Sequence, residues 1–88
     1  MLLFYLKNCP YCKRALAYIE QAKAEYPELS SVDVELVEES ERPDVAGRYD
    51  YYYVPTFFLG GEKLHEGAID YDQTVGVLRR GMKRNTNF

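Results

Sequence analysis

Leu2-Leu3-Phe4-Tyr5-Leu6 is an unbroken apolar run, and directly behind Lys7 the triplet Asn8-Cys9-Pro10 announces a helix. A run so short and so apolar is the pattern of a strand buried on both faces, and such a strand needs helices on both sides of its sheet. Proline at the first helical position loses nothing, since its missing N–H would have no intrahelical partner there. From Cys12 the apolar side chains fall at Ala15, Leu16, Ile19, Ala22 and Tyr26, with Lys13, Arg14, Glu20, Gln21 and Lys23 off that stripe. This is an amphipathic helix. Tyr26-Pro27 ends it, because a residue before proline is pushed out of the helical region.

Ser31 to Val37 alternates Val32, Val34 and Leu36 with Asp33 and Glu35, and reads as a second strand with one face more polar than the other. Glu38 to Arg42 is a polar connection, and Pro43 opens a short helix through Val45, Ala46 and Tyr49. Val54-Pro55 breaks the chain ahead of a strand at Thr56–Leu59, and Gly60-Gly61 turns it back antiparallel through Glu62–Glu66. Asp70 followed by Gln73 forms a capping box for a last helix carrying Tyr71, Val75, Leu78 and Met82; residues 85–88 are expected to fray. The order is β-α-β-α-β-β-α. The first two strands are parallel through a right-handed crossover and the last two form a hairpin. The fold class is α/β, a four-stranded mixed sheet with helices on both faces.

With 88 residues, one domain spans 1–88 and leaves no room for a second. Nine Tyr and four Phe supply bulk to a core that so small a chain must keep economical. The apolar stretches are too short for a transmembrane helix, and no small-residue cleavage site follows Lys7. The expected setting is therefore a reducing cytoplasm, with no membrane partner. A net charge of −3 argues against bulk nucleic-acid binding. Arg79, Arg80, Lys83 and Arg84 crowd the C-terminus, where cations complement a helix dipole; the sharper alternative is an anion-binding patch.

The strongest chemical signal is Cys9-Pro10-Tyr11-Cys12 between a strand and a helix. Two cysteines at this spacing in such a context form a dithiol redox site. Cys9 falls at or beside the helix N-cap, where unpaired N–H groups and the positive end of the dipole favour a thiolate. Lys7, Lys13 and Arg14 add cationic character. Cys12, one turn on and at the head of the buried stripe, is the shielded thiol. Cys9 therefore attacks and Cys12 resolves. The bland reading is two plain buried cysteines. A zinc site needs four ligands, and the chain offers two Cys and the isolated His65, so no metal is expected. A structural disulfide across so short a loop would constrain the unfolded chain little.

Cys-Pro-Tyr-Cys between a hydrophobic strand and a helix, Val54-Pro55 before a hairpin, and Gly67 and Asp70 at the last helix together resemble glutaredoxin over essentially the whole chain. The resemblance implies the thioredoxin-like fold and glutathione as co-substrate, with no tightly bound cofactor. It implies that Cys9 attacks a glutathione mixed disulfide and that Cys12 resolves protein disulfides. Pro55 would be cis, presenting the Val54 backbone to an extended substrate as a strand would. Lys7 would meet a glutathione carboxylate, Tyr11 would line the groove, and Gly67, Ala68 and Asp70 would receive the γ-glutamyl end. Two positions depart from the pattern: Tyr53 stands where the family usually has Thr, and Gly67-Ala68 replaces a double glycine. Val54 to Leu59 with its Gly-Gly hairpin and Glu62-Lys63-Leu64 is closer to thioredoxin. Against thioredoxin, no Trp precedes the dithiol and no Asp lies within Leu2–Leu6.

The expected function is a monomeric, glutathione-dependent thiol–disulfide oxidoreductase acting on disulfide-containing and glutathionylated proteins. The rivals are a thioredoxin-like donor recycled by a thioredoxin reductase, a metal- or cluster-binding module, and a redox-sensing module. Tyr49, Tyr51, Tyr52 and Tyr53 are either half-buried packing or an aromatic rim that meets a partner beside the dithiol.

Overall fold

β1 (Leu2–Tyr5) lies inside a four-stranded sheet, as its apolar run demands. The computed structural model describes residues 1–86, with side chains through Met82. After β1 come α1 (Pro10–Glu25), a 3₁₀ turn (Pro27–Ser31), β2 (Glu35–Glu38), α2 (Pro43–Ala46), β3 (Thr56–Leu59), β4 (Glu62–Glu66) and α3 (Tyr71–Thr86). The strand order is β2-β1-β3-β4. β1 runs parallel to β2, with Leu3 opposite Leu36, and antiparallel to β3, with Leu3 opposite Phe57. β3 and β4 form the expected hairpin, in which Gly60 and Gly61 take φ of 56° and 85°. Such angles favour glycine.

Alternation along β1 divides the core between two faces. Leu3 and Phe57 point toward Ala15 and Ile19 of α1, Ile69, and Val77 of α3. Ala22, Leu29, Val32 and Leu78 extend that packing. On the other face Phe4, Val37 and Phe58 are covered by Val45, Ala46, Tyr49 and Tyr51. The rings of Tyr49 and Tyr51 each lie 4.9 Å from Phe4. α2 is too short to cover this face alone, and the two tyrosine rings complete the layer. The buried Phe4 and Phe58 rings each contribute on the order of 1.5–3 kcal/mol.

Several elements differ from expectation for identifiable reasons. The second strand begins at Glu35 instead of Ser31. Residues 31–34 have no counterpart on β1 to pair with: the ladder opens where the Glu35 amide meets the Met1 carbonyl at 2.7 Å. Ser31 instead closes the 3₁₀ turn onto the Glu28 carbonyl, which delivers Leu29 and Val32 to the core. Within β2 the buried residues are Val37 and Glu38, while Leu36 is exposed at the sheet edge. α2 ends at Ala46, short of Tyr49, whose ring turns onto Phe4 and Phe58. The buried face of α3 runs through Thr74, Val77, Leu78 and Gly81, with Tyr71, Val75 and Met82 at its margin. Small residues sit on that face because the helix approaches closely: a Cβ on Gly81 would stand 2.6 Å from Met1 Cε and 3.0 Å from Val32 Cγ1. Of the expected fraying at 85–88, residues 85 and 86 are helical and 87–88 lie outside the described residues.

Candidate active site

The turn from β1 into α1 builds the site. Cys9 is the N-cap of α1, with extended backbone (φ −92°, ψ 116°), and Pro10 takes the first helical position. The Cys9 Sγ accepts the Cys12 amide N–H at 3.3 Å, one of the N–H groups that a helix start leaves without a partner. Placed there, the sulfur faces backbone donors and the positive end of the helix dipole, both of which favour negative charge. Both cysteines are free thiols, Cys9 partly exposed and Cys12 buried. Burial pushes the Cys12 thiol up to about 12, and its hydrogen bond with Cys9 adds to the rise. One sulfur is thus presented to solvent and the other is kept protonated behind it.

The Val54–Pro55 peptide is cis, and the Val54 carbonyl lies 4.0 Å from Cys9 Sγ. Pro55 is buried, and its carbonyl accepts the Gly67 amide at 2.8 Å. Gly67 has φ +90°, a backbone that L side chains rarely adopt. The loop before Pro55 is tied to the neighbouring residue at the end of β4. Glu66 accepts the amides of Tyr52 at 2.5 Å and Tyr53 at 2.9 Å, while the Thr56 hydroxyl donates to the Tyr53 carbonyl. The Lys63 ammonium, 2.7 Å from Glu66, is the largest cause holding that carboxyl down at about 2, with the two amides next.

A cavity of about 410 Å³ opens beside Cys9, lined by Leu6, Lys7, Asn8, Glu38, Ser40 and Glu41. Lys7 stands at this cavity and is paired with Glu41, which raises the pKa of its ammonium. Glu38, almost fully buried, accepts the Lys7 amide at 3.1 Å, the Ser40 amide at 2.7 Å and the Ser40 hydroxyl at 2.6 Å. The Ser40 hydroxyl, then the Lys7 and Ser40 amides, hold Glu38 below the usual carboxylate range against an opposing effect of burial. Glu38 and Glu66 are the two residues that sequence reasoning missed. The available signal for Glu38 was its place at the C-terminal end of a parallel strand, where α/β sheets build their sites.

The structure brings Lys7, Cys9, Cys12, Val54 and Pro55 together, with Gly67 joined through Pro55. The remaining expected residues have contacts of their own. Tyr11 is exposed, with the Arg14 guanidinium 5.5 Å above its ring. The Ala68 carbonyl meets His65 Nε2 at 2.8 Å. Asp70 caps α3, receiving the Gln73 amide at 2.7 Å while its own amide donates to Gln73 Oε1 at 3.0 Å. The tyrosine run divides: Tyr49 and Tyr51 pack half-buried against the core, whereas Tyr52 and Tyr53 project into solvent. At the C-terminal basic cluster, Arg79 pairs with Glu28 and lies over the Tyr26 ring, and Arg80 pairs with Glu62. The side chains of Lys83 and Arg84 lie outside the described residues. Among the described residues no group of three or more His, Cys, Asp or Glu is placed to hold a metal ion.

Residues 1–64, which contain the dithiol, the cis-proline and most of the sheet, match the family model described as Glutaredoxin. The chain belongs to the glutaredoxin family. A curated protein named Thioredoxin, from Methanocaldococcus jannaschii, is 30% identical over 78 residues, 89% of each chain. Glutaredoxin-family membership and this thioredoxin-like relative agree with the fold, and together they make the chain a thiol–disulfide oxidoreductase.

Proposed function

We propose that the chain is a dithiol oxidoreductase that reduces protein disulfides and glutathione mixed disulfides through Cys9 and Cys12, with glutathione as reductant. It would work as a monomer in a reducing cytoplasm. The observation that carries this reading is the Cys9 sulfur held at a helix start by the Cys12 amide, with the proton-bound Cys12 thiol buried one turn behind.

The Cys9 thiolate attacks one sulfur of the substrate disulfide along the S–S axis. A Cys9–substrate bond forms, the substrate S–S bond breaks, and the leaving thiolate takes a proton. The Val54 carbonyl, 4.0 Å from Cys9 Sγ, borders the approach and offers an acceptor to an extended substrate. Cys12 then gives up its proton and attacks Cys9 Sγ, which releases the second substrate thiol and leaves a Cys9–Cys12 disulfide. Two glutathione thiols return the pair to the dithiol and leave as oxidised glutathione.

Cys9→Ser is expected to abolish all turnover. Cys12→Ser is expected to retain reduction of a glutathione mixed disulfide and to lose reduction of protein disulfides. Loss of both activities in Cys12→Ser, with Cys9→Ser still active, overturns the assignment.

A second reading has specific support. Lys7, the cation lining the cavity beside Cys9, is already paired with Glu41, and the M. jannaschii relative carries the name Thioredoxin. In this reading a thioredoxin reductase supplies the electrons. Assaying the same substrate with glutathione and with a reductase as donor separates the two, and turnover with the reductase alone removes the glutathione claim.

A further inference from the structure

Tyr52 and Tyr53 are 85% and 70% exposed, yet their backbone is among the most firmly held in the site. The Glu66 carboxylate takes both of their amides, and the Tyr53 carbonyl takes the Thr56 hydroxyl. Exposed tyrosine rings on a fixed backbone suit docking, because aromatic area is available for burial and the backbone has little ordering left to lose. Val54, whose carbonyl borders Cys9 Sγ, follows directly. Tyr53 and Tyr52 therefore stand one and two residues from the Val54 edge that borders Cys9.

The charge around the rings narrows the partner. Residues 38–53 hold five carboxylates against the guanidiniums of Arg42 and Arg48; Glu38 is buried, and Glu41 and Asp44 are paired with Lys7 and Arg42, which leaves Glu39 and Asp50 against Arg48. Glu39 reaches the same surface through its bond from the Tyr51 hydroxyl at 2.7 Å. Lys7 is neutralised by Glu41 and Lys63 by Glu66. Tyrosine faces attract Lys and Arg, and a margin of net negative charge steers the same groups. We propose that Tyr52 and Tyr53 form a docking strip for an extended, cationic polypeptide segment that carries the disulfide reduced at Cys9. This inference rests on the dithiol reading and names its preferred substrate class.

The test uses peptide pairs joined by one disulfide and identical except for Lys, Ser or Glu on both sides of the cysteine. Dithiothreitol serves as the terminal reductant, so that glutathione recognition does not enter. Each turnover moves two electrons and two protons from the dithiol to the peptide disulfide, and dithiothreitol restores them. At low ionic strength kcat/KM is expected to fall at least about tenfold from the Lys to the Glu peptide, and 0.5 M salt is expected to narrow the gap. In Tyr52→Ser/Tyr53→Ser the Lys-to-Glu ratio is expected to collapse toward the purely electrostatic residue of the effect. A ratio is read because general damage to the enzyme lowers both rates without changing it. Equal rates for Lys and Glu peptides, or an unchanged ratio in the double variant, overturn the proposal. Reduction of uncharged 2-hydroxyethyl disulfide reports on the dithiol reading separately. Turnover there with a flat peptide series sinks the docking strip alone, and no turnover there sinks both.

Discussion

Cys12 shows how one buried side chain divides labour between two chemically identical groups. Its thiol lies behind Cys9 with about 1% of its surface exposed, and burial holds the proton on it up to about 12. A group whose folded-state pKa is raised contributes stability that is complete below its unfolded value and fades as pH climbs toward the folded one. For Cys12 that window runs from about 8.5 to about 12. The reduced protein is therefore expected to lose stability from about pH 8.5 upward, and Cys12→Ala is expected to flatten the early part of that decline in denaturant titrations. Tyr51 and Tyr71, both raised from an ordinary value near 10, contribute only in its later part. A wild-type curve that stays level to pH 10 counts against the shielded-thiol assignment.

Two elements are held by single carboxylates, and each makes a separable prediction. Glu66 has its carboxyl pulled down to about 2, so its hold on the Tyr52 and Tyr53 amides is complete above the unfolded value of about 4.3 and fades as pH falls toward 2. Glu66→Ala at neutral pH is expected to raise hydrogen exchange at those two amides about tenfold or more, with little change at Cys12. Asp70 closes the reciprocal cap of α3, so Asp70→Ala is expected to cost about 1 kcal/mol in denaturant unfolding. Asp70→Asn keeps a good cap while removing the charge. A KM for glutathione mixed disulfide that rises in Asp70→Asn, at unchanged stability, marks a ligand role distinct from the cap.

The local signals were plain in the sequence. Pro10 and Pro27 bracket α1, the Asp70–Gln73 spacing opens α3, and the two cysteines sit where the helix start makes a thiol useful. Beyond the strand-end position of Glu38, the roles of Glu38 and Glu66 were not legible, because each holds backbone far along the chain. Glu38 meets an amide 31 residues away, and Glu66 meets amides 14 and 13 residues away. No periodicity encodes such a pairing. The split of the tyrosine run was hidden for a related reason, since four rings of one chemistry within five residues differ only in which side of the sheet the loop turns them toward.

At the scale of the whole molecule, α3 lies on the sheet face it shares with α1 and closes against the segments that carry Met1 and Val32. Two glycines on α3 test that packing with opposite signs. A Cβ at Gly76 would meet nothing within 4 Å, so Gly76→Ala is expected to gain up to about 1 kcal/mol from helix propensity alone. At Gly81 the same change drives a methyl against Met1 Cε and Val32 Cγ1. The methionine end can swing away, but Val32 is buried and stiff at χ1. Gly81→Ala is expected to be net destabilising by about 1 kcal/mol, since overpacking costs about 1–3 kcal/mol against the same propensity gain. Chemical denaturation of the pair checks the contrast, and stabilisation by both substitutions would show that α3 sits looser on the sheet than described.

The separation between the sulfur chemistry and the tyrosine loop has an evolutionary corollary. The reactive turn hangs from β1 and the Val54 edge from its antiparallel neighbour β3, bolted at Pro55 and again at Glu66. With those anchors kept, positions 52 and 53 are free to drift. A lineage can rewrite its clientele by changing two solvent-facing letters, leaving electron transfer itself inherited intact.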